Sequence, residues 1–135
     1  KKISKAAARI KFNLQTELIL GDIDASRDWG FAGDFVEAMH KIVQQKEPGD
    51  YVVCTAVQHS IRELLTTAFR TAGIDDWEQY VESDPRYKRP AEVFALHGSY
   101  AKAKEKLGWE PKTEFKDMIS FMVKEDIRRL SHDLR

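Results

Sequence analysis

Two loops carry the residues whose types could do chemistry. In the first, Arg27-Asp28-Trp29-Gly30, a guanidinium stands just before the clearest helical pattern of the chain. An arginine so placed can fork two N–H donors onto a phosphate or carboxylate, and the free amides of a helix N-terminus add partial positive charge. The second loop, Arg86-Tyr87-Lys88-Arg89-Pro90-Ala91-Glu92, is dense in donors and stiffened by Pro85 and Pro90. Each has an ordinary structural alternative. Asp28 can cap a helix and Trp29 can fill a core, while Arg89 and Glu92 can form a solvated surface pair worth little. Lys2, Lys5 and Lys11 fall on the polar side of the first helical pattern, where solvation is the usual role. Lys2, at the N-terminal end, is also placed to meet an anion.

Other chemistries lack their partners. His59 precedes Ser60 at a helix entry, and no Ser/His/Asp or Cys/His spacing around it reads as nucleophile and base. Cys54 sits in an apolar run as a small core hydrophobe, and Trp77 and Trp109 read as structural. A single cysteine forms no internal disulfide, and no Cys/His spacing resembles a zinc site. A reducing, cytoplasmic compartment and no bound metal are therefore expected. No glycine-rich dinucleotide fingerprint occurs, so cofactor binding by the usual strand–turn–helix device is not expected here.

The elements that must position these loops alternate. Ile3, Ala7, Ile10 and Leu14 recur at helical spacing, and Glu17 to Gly21 reads as a short buried strand. Ala32, Phe35, Val36, Met39, Ile42 and Val43 form a core-facing stripe that stops near Pro48-Gly49. Tyr51 to Thr55, rich in β-branched and aromatic residues, predicts a buried strand. Ser60 and Glu63 have the spacing of a capping box opening a helix to Gly73. From Ile74 to Gly98 periodicity fades, with at most a short strand at Tyr80 to Glu82. Ser99 and Thr113 are expected caps of two further helices, the second with Phe115, Met118, Ile119, Met122, Ile127 and Leu130 on one face. The pattern is α/β, helices with a few short strands, too few for an independent large sheet.

A chain of 135 residues with 42% hydrophobic content buries one modest core, which predicts one domain or one lobe of a larger one. Lysine plus arginine equals aspartate plus glutamate at 22 each, so no net positive field draws nucleic acid or an anionic membrane. No apolar run approaches the roughly 20 residues that span a bilayer. Lys1 opens a helical pattern with no capping residue before it, predicting that sequence precedes it.

Several segments together carry a resemblance: Gly21 to Gly30, Asp34-Phe35-Val36-Glu37-Ala38-Met39, His59-Ser60-Ile61-Arg62-Glu63, Arg89-Pro90-Ala91-Glu92-Val93, and Ala103 to Trp109. Over almost its whole length the chain resembles the C-terminal half of GDP-mannose 4,6-dehydratases, members of the extended short-chain dehydrogenase/reductase group. The Leu107-Gly108-Trp109 ending is shared with many nucleotide-sugar epimerases. The resemblance implies a C-terminal substrate-binding lobe spanning 1–135, with the N-terminal Rossmann part absent. In such an enzyme NADP oxidises the hexose at C4, water is lost across C5 and C6, and hydride returns to C6. It places the catalytic residues and the NADP motif upstream of the point matching Lys1. What it assigns to this chain is nucleotide-sugar contact: Lys2 and Arg27 on the GDP portion, Arg89 and Glu92 on diphosphate, ribose or guanine. Partners expected on this reading are GDP-mannose or another nucleotide sugar, the N-terminal Rossmann domain and further copies in a homo-oligomer. Departures from the family pattern bear on substrate preference and loop geometry. Thr55-Ala56-Val57-Gln58 stands where Thr-Gly-Glu is usual, Phe31 where His is usual and Phe94 where Asp is common. The segment between Gly73 and Asp84 is also shorter than in many relatives. Two alternatives stay open: part of a related nucleotide-sugar epimerase or reductase, and a non-catalytic binding or oligomerisation module.

Overall fold

A computed structural model describes residues 1–87 and 96–134. Five α-helices and four short strands are assigned among them: α1 (Lys2–Lys11), β1 (Leu18–Leu20), β2 (Ser26–Arg27), α2 (Ala32–Val43), β3 (His59–Ser60), α3 (Ile61–Ala72), β4 (Val81–Ser83), α4 (Ala101–Leu107) and α5 (Phe115–Asp133). The α/β class expected from the sequence is the class observed. No described helix is long and apolar enough to cross a membrane. The chain folds into two compact units, one from 1–25, 60–87 and 119–134, the other from 26–59 and 96–118.

In the first unit α1 packs against α3. Small side chains make this close packing possible: Ala6, Ala7 and Ala8 of α1 and Ala68 and Ala72 of α3 are all buried, beside Ile10, Leu65 and Phe69. The expected α1 stripe is thereby shifted, because Ile3 is only partly buried and Leu14 lies exposed beyond the helix end. Helix α3 has both its sequence signals in place. The Ser60 hydroxyl accepts from the Glu63 N–H while the Glu63 carboxylate accepts from the Ser60 N–H, and Gly73 ends the helix at φ 82°. Lys11 donates to the Ala72 carbonyl at 2.8 Å, satisfying a group the last turn leaves open. Strands β1 and β4 pair in parallel, Leu18 opposite Val81 and Leu20 opposite Ser83. Val123 and Ile119 of α5 are buried, and Asp126 is buried with Lys1 as its ion-pair partner, so the inward face runs through Val123 rather than Met122.

The second unit is built on α2 and α4 around Ala38, Ala103, Leu107 and Trp109, with Phe35, Ile42, Tyr51, Val53 and Tyr100 packed on that cluster. Trp109 meets Phe35 and Tyr100 edge-on, and its indole N–H donates to the Asp34 carbonyl at 2.8 Å. Here two expectations are corrected. Val36, Met39 and Val43 of α2 are 60%, 59% and 74% exposed, because the helix turns Asp34 and Ala38 inward instead. And no strand is assigned over Tyr51 to Thr55. At the end of the segment the Thr55 N–H is taken by the Asp28 carboxylate, a side chain satisfying a donor that a ladder would otherwise pair. Ser99 stands one residue before the α4 N-cap, Tyr100, and Gly108 ends α4 at φ 60° as expected.

Candidate functional site

Arg27 closes the two-residue strand β2, which pairs with β3. Its guanidinium donates to the Ser26 carbonyl at 2.6 Å. Asp28, expected as a helix cap, does something else. The N-cap of α2 is Phe31, with no side-chain cap bond. The Asp28 carboxylate instead reaches residues 27 and 28 positions further along the chain. Its Oδ1 accepts the Thr55 hydroxyl at 2.6 Å, both oxygens receive the Thr55 N–H at 3.0 Å, and Oδ2 takes the Ala56 N–H at 2.8 Å. Charged acceptors make the stronger hydrogen bonds, and this one gathers three donors. The clamp holds Ala56 at φ 62°, a left-handed conformation disfavoured for a residue with a Cβ. Next to it Cys54 is buried as expected; burial, with the Asp28 charge adding to it, pushes the thiol above its ordinary range.

Trp29 and the clamped segment face a cleft of about 280 Å³ within this unit. Thr55, Val57, His59, Tyr100, Lys112 and Phe115 are among its lining residues. Phe115 stacks with two rings, His59 at 3.9 Å between ring centroids and Trp29 at 5.9 Å. His59 is thus a ring in an aromatic stack as well as the residue before the α3 cap. Lys112 is ion-paired with Glu37 at 2.7 Å, and its backbone N–H, with that of Thr113, donates to Asp34. Thr113, expected to cap α5, therefore gives both its N–H and its hydroxyl to Asp34. Burial acts to raise the Asp34 pKa, yet the bonds from Lys112 and Thr113 outweigh it and hold the carboxyl below its usual value.

Of the four residues singled out in the sequence, Arg27 belongs to this second unit and Lys2 to the first. Arg89 and Glu92 lie outside the described residues. Lys2 is engaged within its own unit: its ammonium donates to the Ile19 carbonyl at 2.6 Å and stands 5.4 Å from the centre of the Tyr87 ring. Gly21 lies against that same Tyr87, where a Cβ would come within 2.6 Å of its carbonyl oxygen. Arg86, another donor of the second loop, forks onto Asp84 through Nε and Nη2, and this pairing holds the Asp84 carboxyl below its ordinary range. Sequence reasoning missed the Asp28 clamp and the aromatic stack. Both join residues more than 25 positions apart, for which no local spacing exists to read.

The family model for GDP-mannose 4,6 dehydratase matches residues 1–122. The chain is 52% identical over 127 residues to GDP-mannose 4,6 dehydratase 1 of Arabidopsis thaliana, covering 94% of this chain and 35% of that enzyme. It is 37% identical over 143 residues to GDP-mannose 4,6 dehydratase of Homo sapiens, covering 94% of this chain and 38% of that one. Among solved structures, RMD from Pseudomonas aeruginosa complexed with NADPH superposes with a TM-score of 0.80 at 29% identity, over 94% of this chain and 41% of its own. The chain spans little more than a third of the length of these relatives.

Proposed function

The chain belongs to the GDP-mannose 4,6-dehydratase family, and on that premise we propose that it is the C-terminal, nucleotide-sugar-binding portion of an enzyme converting GDP-mannose to GDP-4-keto-6-deoxymannose and water. The observation that carries the reading is the family match over residues 1–122, a stretch that includes all four residues assigned to substrate. Lys2 and Arg27 contact the GDP portion; Arg89 and Glu92 hold diphosphate, ribose or guanine. None of the four is catalytic. The seating of Arg27 on β2, with Asp28 locking the adjoining backbone, supports a binding role, because a diphosphate is recognised best by a cation whose base does not move. The whole enzyme, on this reading, is an NADP-dependent lyase of the cytoplasm that assembles as a homo-oligomer.

On this reading the nicotinamide cofactor is held outside this chain, and one feature of the described residues supports that. At the one junction where a strand runs straight into a helix, β3 to α3, the helix N-terminus is occupied by the Ser60–Glu63 capping box. Glu63 sets a carboxylate where a dinucleotide fold would set pyrophosphate. No step through that cofactor is assigned to this chain, and its part in the reaction is to bind and orient the sugar nucleotide.

Steady-state kinetics of Arg27→Ala in the full-length enzyme tests the reading. Losing one charge-assisted contact, worth about 2 kcal/mol, is expected to raise the KM for GDP-mannose about 30-fold with kcat little changed. A collapse of kcat at unchanged KM would place Arg27 in the chemistry and overturn the binding role.

A further inference from the structure

We propose that Asp28 is a positioning residue for the sugar nucleotide: by clamping Thr55 and Ala56 it fixes the backbone from which Arg27 reaches substrate. This rests on the binding role given to Arg27 above.

Arg27, Asp28 and Trp29 are consecutive, so the atom that anchors Asp28 also anchors the carbonyl end of Arg27 and the N–H of Trp29. The anchor is unusually complete. Both carboxylate oxygens are used, against two backbone N–H groups and one hydroxyl, at 2.6 to 3.0 Å. The Thr55 hydroxyl, its hydrogen directed to Asp28, accepts the Val57 N–H at 3.2 Å, which carries the clamp one residue further. Thr55, Val57 and Trp29 all line the same cleft, so one carboxylate ties together lining residues from separate parts of the chain.

Ala56 shows what the clamp works against. An alanine at φ 62° relaxes toward the right-handed or extended regions unless its surroundings forbid it. Here Oδ2 of Asp28 accepts the Ala56 N–H at 2.8 Å and restrains that backbone unit. A glycine at the same position holds a positive φ without help. The dependence of Arg27 on Asp28 is therefore set by the residue at position 56, and this makes the inference separable from simple folding.

The test is a double-mutant cycle in the full-length enzyme, read as KM and kcat for GDP-mannose. Asp28→Asn keeps the size of the side chain but offers a single acceptor oxygen, and its amide end faces N–H donors. It is expected to raise KM about tenfold with kcat within about twofold. In an Ala56→Gly background the same Asp28→Asn change is expected to raise KM only about twofold, because glycine retains the turn unaided. Thr55→Val, which removes the hydroxyl donor alone, gives a milder arm with KM raised about threefold, and it decides the matter if Asp28→Asn does not fold. An unchanged KM in Asp28→Asn, or in Thr55→Val where that arm decides, overturns the inference, as does a tenfold effect that persists with glycine at position 56. Arg27→Ala, run alongside, separates the two readings. If it leaves KM unchanged, the binding role itself fails; if it raises KM and Asp28→Asn does not, only the positioning role fails.

Discussion

Replacing Asp34 by alanine is expected to cost about 4 kcal/mol of stability, since two N–H groups lose a charged acceptor at about 2 kcal/mol each. The two are those of Lys112 and Thr113, at 3.0 and 2.8 Å from the same Oδ2, in a residue only 7% exposed. Asp34→Asn keeps an oxygen there but gives up the charge, and about 2 kcal/mol is expected for it. The pH dependence follows from the direction of the shift. The folded carboxyl titrates below the unfolded one, so the stabilisation is fully present above the unfolded value and is lost as pH falls through the folded one. The gap between wild type and Asp34→Asn should therefore close progressively below about pH 4. Urea unfolding of the full-length protein followed by tryptophan fluorescence reads this out, because Trp109 is 1% exposed and bonded to the Asp34 carbonyl. A cost under about 0.5 kcal/mol for Asp34→Ala at pH 7, or a gap that persists unchanged to pH 3, would refute the account of how α2 is held.

Ser60→Ala removes one half of the α3 capping box and is expected to lower unfolding free energy by about 1 kcal/mol, measured the same way; no change would show that Glu63 alone suffices. Glu125, forked between Arg128 and Arg129, has its carboxyl lowered to about 2, so an NMR titration should find its midpoint near that value and rising with added salt. A midpoint near the ordinary carboxylate value would mean the two arginines are not held beside it. Cys54 is expected to resist alkylation at pH 8 in the native protein and to react readily in urea, given its burial and raised pKa; equal rates would contradict the packing described. Gly98→Ala would set a Cβ 2.8 Å from the Cys54 sulfur, and a loss of about 1–3 kcal/mol is expected from the overpacking.

What the sequence disclosed was what is decided locally. The α3 start at Ser60 and Glu63 and the stops at Gly73 and Gly108 depend on residues within one turn, and each stands where spacing put it. Helix faces were read less well, because a face is chosen by its partner. On α2 the apolar count favoured Val36, Met39 and Val43, yet Asp34 is inward, since Lys112 and Thr113 supply the donors that make its burial tolerable. Tyr51 to Thr55 has strand composition, yet no strand is assigned there, and the Thr55 N–H goes to the Asp28 carboxylate. The site divides in the same way. Arg27 was legible from its type and place before a helix, while the Asp28 clamp, whose partner Thr55 lies 27 positions further along the chain, had no local signature. Ala56 was visible only as a departure from a family glycine, and its positive φ gives that departure a physical meaning.

The most direct test of the central claim is calorimetric titration of the full-length protein with GDP-mannose and with UDP-glucose, for wild type and Arg27→Ala. The account predicts clear preference for GDP-mannose and an affinity about 30-fold weaker in the variant, the loss expected for one charge-assisted contact. Preference for the uridine sugar, or equal affinity of the two proteins for GDP-mannose, would contradict it.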